Sequence, residues 1–280
     1  MADWQRTGPL SRTLRAANPG PMTLDGTNSY VLSAFFDSAA PAPVVVVDPG
    51  PLIEAHLEAL AAAGTVELIL VTHRHADHTE GSARFRELTG APVRAAHPDF
   101  CHGGAPLRGG ELIRAAGVEI EVLATPGHTS DSVCFALLDP GLKHDGGTSQ
   151  VLTGDTVLGQ GSTVLDYPDG RLADYLDSLE TLHVLGGGVL GGTAGGRPVA
   201  VLPGHGPVLP DLAAIAAAYQ AHRRERLAQV RAAVEHLGGE PSAGAVAAVV
   251  YGDVPANLQG AAQLSVQAQL DYLRGATSAR

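Results

Sequence analysis

A chain of 280 residues with 45% hydrophobic and 17% charged content is long enough to bury a large core, and its composition is unlike that of disordered, charge-rich chains. Its net charge of -11 disfavours electrostatic capture of long nucleic acid or of an anionic lipid surface. The 2 cysteines, Cys101 and Cys134, cannot build a disulfide framework and read as reduced packing residues with no disulfide-linked partner.

The first residues, Met1-Ala2-Asp3-Trp4-Gln5-Arg6-Thr7, carry no basic stretch followed by an apolar one, so the expected location is cytoplasmic. Val44-Val45-Val46-Val47-Asp48-Pro49-Gly50 reads as a buried strand ending in a turn. Residues 52–63 read as a helix that Gly64 terminates, and 68–71 as the next strand. These apolar runs are too short to span a bilayer, and no membrane association is expected. Residues 119–124, 132–138, 151–153 and 199–202 have the same strand character, with Cys134 among apolar neighbours in one of them. Leu172, Tyr175, Leu176, Leu179 and Leu182 fall on one face of a helix over 172–185.

Asp211 reads as the N-cap of a long helix to about residue 237, stopped by Gly238 and Gly239. Its run His222-Arg223-Arg224-Glu225-Arg226 reads as a solvated face. Residues 242–250 and 255–273 read as two further helices. The alternation of strands and helices is an α/β signature. It suggests a main domain over residues 1–210 and a small helical appendage over 211–280.

The strand at 68–71 runs into Thr72-His73-Arg74-His75-Ala76-Asp77-His78, which packs three imidazoles and a carboxylate into six positions. That donor mixture suits zinc and similar borderline metals, and three histidines after a buried strand have no packing purpose. Three later turns follow strands in the same way: Thr125-Pro126-Gly127-His128-Thr129, Thr153-Gly154-Asp155-Thr156 and Leu202-Pro203-Gly204-His205-Gly206. Strand ends are rigid, so side chains distant in sequence can converge there on one cleft. His97 and His102 flank Cys101, but that spacing fits no standard zinc pattern.

These residues, in this order, resemble the metallo-β-lactamase superfamily. The resemblance implies an αβ/βα four-layer sandwich and two metal ions, zinc or other divalent metals. It implies that His73, His75 and His128 hold one ion, that Asp77, His78 and His205 hold the other, and that Asp155 bridges them. A water bridging the ions would then become the nucleophile, with Asp77 as the catalytic residue that orients it.

Asn18-Pro19-Gly20-Pro21-Met22-Thr23-Leu24-Asp25-Gly26-Thr27-Asn28-Ser29-Tyr30 and Leu158-Gly159-Gln160-Gly161-Ser162-Thr163-Val164 resemble the lactamase-β-like-protein-2 branch. That likeness makes Asn28 and Thr163 candidates for the substrate cleft. It also implies a winged-helix-like C-terminal extension, whose β-wing is expected to be truncated because the sequence runs only to Arg280.

The branch implies cleavage of single-stranded RNA. The alternative is hydrolysis of an acyl thioester or ester, as in similar acyl-carrier thioesterases, and the acidic net charge leans that way. A third class, a di-iron redox or binding module, suits the imidazole-rich donor set less well.

Overall fold

The computed structural model describes residues 3–37, 41–138, 148–187, 198–255 and 258–278. Two sheets face each other. The first runs β1 (Gln5–Arg6), β2 (Ser11–Arg15), β3 (Asn28–Leu32), β4 (Pro43–Val47), β5 (Thr65–Leu70) and β6 (Val93–Arg94), antiparallel through β4 and parallel from β4 to β6. Helix α1 (Glu54–Ala61), the single turn α2 (Ala76–Thr79) and α3 (Ser82–Thr89) lie in its crossovers.

The second sheet contains β7 (Leu112–Ala115), β8 (Val118–Ala124), β9 (Val133–Leu138), β10 (Thr148–Gly154) and β11 (Ala200–Pro203). Its strand order is β11-β10-β9-β8-β7, and only β10 and β11 pair in parallel. Helix α4 (Leu172–Gly186) connects β10 to β11, and α5 (Leu212–Leu237), α6 (Ala243–Val250) and α7 (Gln259–Ser278) follow.

The four consecutive valines of β4 show why the layers form. Val45 and Val47 enter the core between the sheets, with Leu70, Ile120, Phe135, Leu137 and Leu202. Val44 and Val46 point the other way, against Leu57, Leu60 and Phe85 of α1 and α3. A strand buried on both faces carries no polar alternation, which is why the run is unbroken. On the second sheet, Cys134, Ala136, Val151 and Val201 pack against Leu172, Tyr175, Leu179 and Leu182 of α4. The order is therefore helix, sheet, sheet, helix, the expected αβ/βα sandwich.

Leu212, Ala216 and Tyr219 on the first half of α5 pack into the α4 cluster. Val230 and Ala233 on its second half join Val246, Ala247, Val266 and Leu270 of α6 and α7 in a separate small core. Among the described residues no strand follows β11, and no helix is long and apolar enough to cross a membrane. The solvated face expected for 222–226 needs correction at one position. Arg223 is only 5% exposed, because at that point α5 crosses the loop leading from β10 to α4.

The turn after β8 is tightly constrained. Gly127 has φ +139°, and a Cβ there would overlap the backbone of Tyr175 on α4. Gly90 also has positive φ, +75°, but a Cβ there would meet nothing within 4 Å. Gly90→Ala should therefore cost only the backbone strain, about 1–2 kcal/mol. Gly127→Ala should cost clearly more, because strain and a backbone clash add. Thermal melting of the two variants side by side checks this, and equal losses would contradict it.

Candidate metal centre

Each residue singled out by the motifs sits where a strand ends, at one edge of the sandwich. His73 follows β5, His75 is the N-cap of α2, and Asp77 and His78 lie within α2. His128 is in the turn after β8, Asp155 directly follows β10, and His205 lies just beyond β11. Gly204 is small for a local reason. A Cβ there would lie 2.5 Å from Asp155 Oδ1 and 2.8 Å from His78 Cε1, inside the space the site encloses.

The structure brings all seven residues together in two adjoining groups: His73, His75, His128 and Asp155, and Asp77, His78 and His205. Within each group the candidate donor atoms all lie within 4.8 Å of one another. In the first, His75 Nδ1 is 3.1 Å from His73 Nε2 and 3.0 Å from His128 Nε2. In the second, the Nε2 atoms of His78 and His205 are 3.3 Å apart.

The outward nitrogens are all taken. His73 Nδ1 is 3.0 Å from Thr72 Oγ1, whose own proton goes to Asp48 Oδ2 at 2.7 Å. His78 Nδ1 donates to Asp48 at 2.8 Å, His128 Nδ1 to the Val164 carbonyl at 2.6 Å, and His205 Nδ1 to the Gly26 carbonyl at 3.2 Å. His75 Nε2 lies 3.3 Å from Asp166 Oδ2. An acceptor on the outer nitrogen fixes the tautomer, so the inner nitrogens present lone pairs to one another. Such an arrangement calls for a cation or protons between them.

Asp155 stands between the groups. Its Oδ2 faces His73 at 4.0 Å and His128 at 3.7 Å, and its Oδ1 faces His78 at 3.5 Å and His205 at 3.4 Å. Oδ1 is buried without a hydrogen-bond partner, an arrangement that is costly unless something else satisfies it. Asp77 Oδ2 lies 3.1 Å from His205 and 3.3 Å from His78 and accepts from Thr27 Oγ1 at 3.0 Å. Convergent lone pairs, fixed outer partners and an orphaned carboxylate oxygen together fit a bound divalent metal.

The electrostatics agree. Burial disfavours charge on His73 and His128, whose pKa values fall below the ordinary histidine range. Burial also opposes charge on His78, but Asp48 and Asp155 outweigh it and hold the pKa well above that range. His205 is raised to about 9, because contacts with Asp155 and Asp77 overcome its burial. Burial opposes charge on Asp155 and, less completely, on the partly exposed Asp77, but His78 and His205 hold both well below the carboxylate range.

Several participants carry no motif of their own. Asp48, at φ +50° after β4, receives the Thr72 N–H at 2.8 Å as well as Thr72 Oγ1 and His78, so one buried carboxylate orients two histidines. Its only signal in the sequence is an acid closing the four-valine strand, where the local pattern suggests no more than a turn. Arg74 pairs with Asp166 and, at 3.1 Å, with Asp169, forming a rim beside the partly exposed His75. Asn28 and Thr163 are buried against the scaffold. Asn28 Nδ2 donates to the carbonyls of Pro203 at 3.0 Å and Gly206 at 2.9 Å, and Thr163 Oγ1 donates to that of Asp155 at 2.9 Å. Cys134 is fully buried, as expected. Among the described residues, His97, Cys101 and His102 form no metal-type group.

Without metal, His205 is protonated up to about pH 9, and its stabilising contribution is complete below 6.5 and lost as pH rises through about 9. An incoming metal must displace the protons of His78 and His205. Metal titration at pH 7 should therefore release protons, with affinity weakening as pH falls. Calorimetry in two buffers of different ionisation enthalpy checks this, and identical heats in both would contradict it.

Residues 22–209 match the family model described as the metallo-beta-lactamase superfamily. The chain is 29% identical over 243 residues to an atrochrysone carboxyl ACP thioesterase of Aspergillus chevalieri, covering 84% of this chain and 68% of that protein. It is 28% identical over 283 residues to a beta-lactamase-like protein 2 homolog of Drosophila melanogaster, covering 91% and 85%. A crystal structure of a metallo-beta-lactamase family protein from Thermus thermophilus shares the fold with a TM-score of 0.73 and 23% identity, over 97% of this chain and 95% of that one. The chain belongs to the metallo-β-lactamase superfamily and is a hydrolase of that family, carrying a cluster of His and Asp residues able to hold a metal.

Proposed function

We propose that the chain is a dinuclear metallohydrolase of acyl thioesters. In this reading His73, His75 and His128 hold one ion, Asp77, His78 and His205 hold the other, and Asp155 bridges them. Zinc or similar ions held there would supply Lewis acidity toward the scissile carbonyl and would lower the pKa of nearby water. The domain division is proposed near residue 210, with α5 anchored in the main core.

Asp77 is the residue we assign to orienting the attacking water. Its carboxylate lies beside His205 and His78, and as an ionised ligand it would accept a proton rather than donate one. Thr27 Oγ1 fixes the same oxygen at 3.0 Å, which limits its rotation.

The observation that carries the substrate class is the charge of the rim. Beside His75, the side chain of Arg74 is matched by two carboxylates, Asp166 and Asp169, so its charge is already balanced before a polyanion arrives. The net charge of -11 acts in the same direction. A thioester carbonyl is neutral and incurs no such repulsion. From Asp166 the chain continues into a groove of about 480 Å³ whose lining includes Tyr167, Ala173, Ala268 and Tyr272 together with the charged Arg171 and Asp271, a mixed channel suited to a flexible arm that carries both apolar and polar groups. The thioesterase named among the relatives supports the same class. Single-stranded RNA is the competing reading, supported by the likeness to the beta-lactamase-like protein 2 homolog.

Zinc-loaded protein should hydrolyse a coenzyme A thioester, releasing free thiol. Asp77→Ala should lower kcat by about 10²–10⁴-fold with the fold retained, and a chelator should abolish turnover. Ala173→Trp, at an exposed position in the groove, should raise KM for the coenzyme A thioester and leave a truncated N-acetylcysteamine thioester little changed. Cleavage of end-labelled single-stranded RNA without thioester hydrolysis would overturn the assignment.

A further inference from the structure

On α5, Arg223 is buried, with its Cζ 4.9 Å from the centre of the Tyr175 ring. One terminal nitrogen donates to the Thr163 carbonyl, and its Nε has no hydrogen-bond partner. Burying a guanidinium against one carbonyl and one ring costs desolvation energy that an apolar side chain of similar size would avoid. Packing alone therefore gives no reason for arginine here. What it supplies is a directed hydrogen bond.

That bond ends one residue from a carbonyl that supports a candidate metal ligand. The next carbonyl, Val164, accepts the Nδ1 proton of His128 at 2.6 Å and so fixes which nitrogen His128 turns inward. Thr163 itself donates through Oγ1 to the Asp155 carbonyl at 2.9 Å. The same loop is held elsewhere from α4 and α5. Tyr175 Oη donates to the Thr156 carbonyl at 2.7 Å, and Tyr219 Oη meets Leu158 N at 3.1 Å and Leu158 O at 3.2 Å.

The histidine rings and Asp77 of the other half lean on other groups, although Gly159 N–H in this loop donates to the His205 carbonyl at 2.8 Å. His78 leans on Asp48, His205 on the Gly26 carbonyl and Asp77 on Thr27, all of them carried by the first sheet and the loops beside it.

We propose that Arg223 is a positioning residue for His128, and that through it the C-terminal helices govern the affinity of the metal equivalent that His128 would hold more than that of the other. The inference assumes the two-ion reading but not the substrate.

The test is a cobalt titration of the metal-free full chain, following the visible d–d bands and fitting two stepwise dissociation constants. Arg223→Met should weaken one equivalent by about 10–100-fold, as loss of an outer support does, and leave the other within a few-fold. Arg223→Lys keeps a donor for the Thr163 carbonyl and should recover most of the loss. Thermal melting of the metal-free variants reports the fold separately. If the methionine variant does not fold, Arg223→Gln carries the test, since its shorter side chain stays polar but does not reach the Thr163 carbonyl; it should weaken the same single equivalent. Equal weakening of both equivalents, or no change in either, overturns the proposal. Binding of only one cobalt by the unmutated chain would instead remove the two-ion reading on which it rests.

Discussion

Buried imidazoles whose inner nitrogens lie 3.0 to 3.3 Å apart are an unstable arrangement unless something positive sits among them. Their outer nitrogens are pinned by a threonine hydroxyl, two carboxylates and two backbone carbonyls, so the rings cannot turn away. Water has little access to most of these rings, since His73, His78, His128 and His205 are buried while His75 is partly exposed. Protons on His78 and His205, or cations in their place, resolve it. The sandwich can be understood as the frame that imposes this convergence: two sheets end at one edge, and each contributes ligands that the other could not supply.

The frame distributes the supports unevenly. Asp48, at the end of β4, serves Thr72, and through it His73, and His78 directly; it holds a left-handed backbone conformation that only a well-packed surrounding would maintain. His128 and Asp155 depend on the loop between β10 and α4, which is secured from outside the sandwich by Tyr219 and Arg223. This makes α5 more than an addition to the fold. Its first half completes the α4 core, its middle reaches the metal-site loop, and its second half carries α6 and α7. At the rim beside His75, Arg74 is balanced against Asp166 and Asp169.

Much of this is legible in the sequence where one residue type serves one purpose. Histidines at strand ends have no packing role, so His73, His75, His78, His128 and His205 are recognisable, and unbroken apolar runs mark β4, β5 and β9. The opposite holds where polar residues are buried by long-range pairing. Ser11 and Thr13 on β2 and Asn28 and Ser29 on β3 are buried polar side chains, so those strands lack the apolar signature that would announce them. Helix α3 buries only Ser82 and Phe85, too few apolar positions to announce a helix. Arg223 looks solvated in sequence because it sits among charged neighbours such as the exposed Arg224 and Glu225, and only the crossing of α5 over a loop sixty residues earlier buries it. Asp48 looks like a turn residue because nothing local shows that Thr72 and His78 return to it.

The central claim is that the site holds two ions, one on each side of Asp155. Anomalous diffraction from crystals grown with saturating zinc, with data on both sides of the zinc absorption edge, tests it directly. The account predicts two peaks flanking the Asp155 carboxylate, one within the His73, His75 and His128 group and one within the Asp77, His78 and His205 group. A single peak, or zinc bound elsewhere with these imidazoles still facing one another, would contradict it.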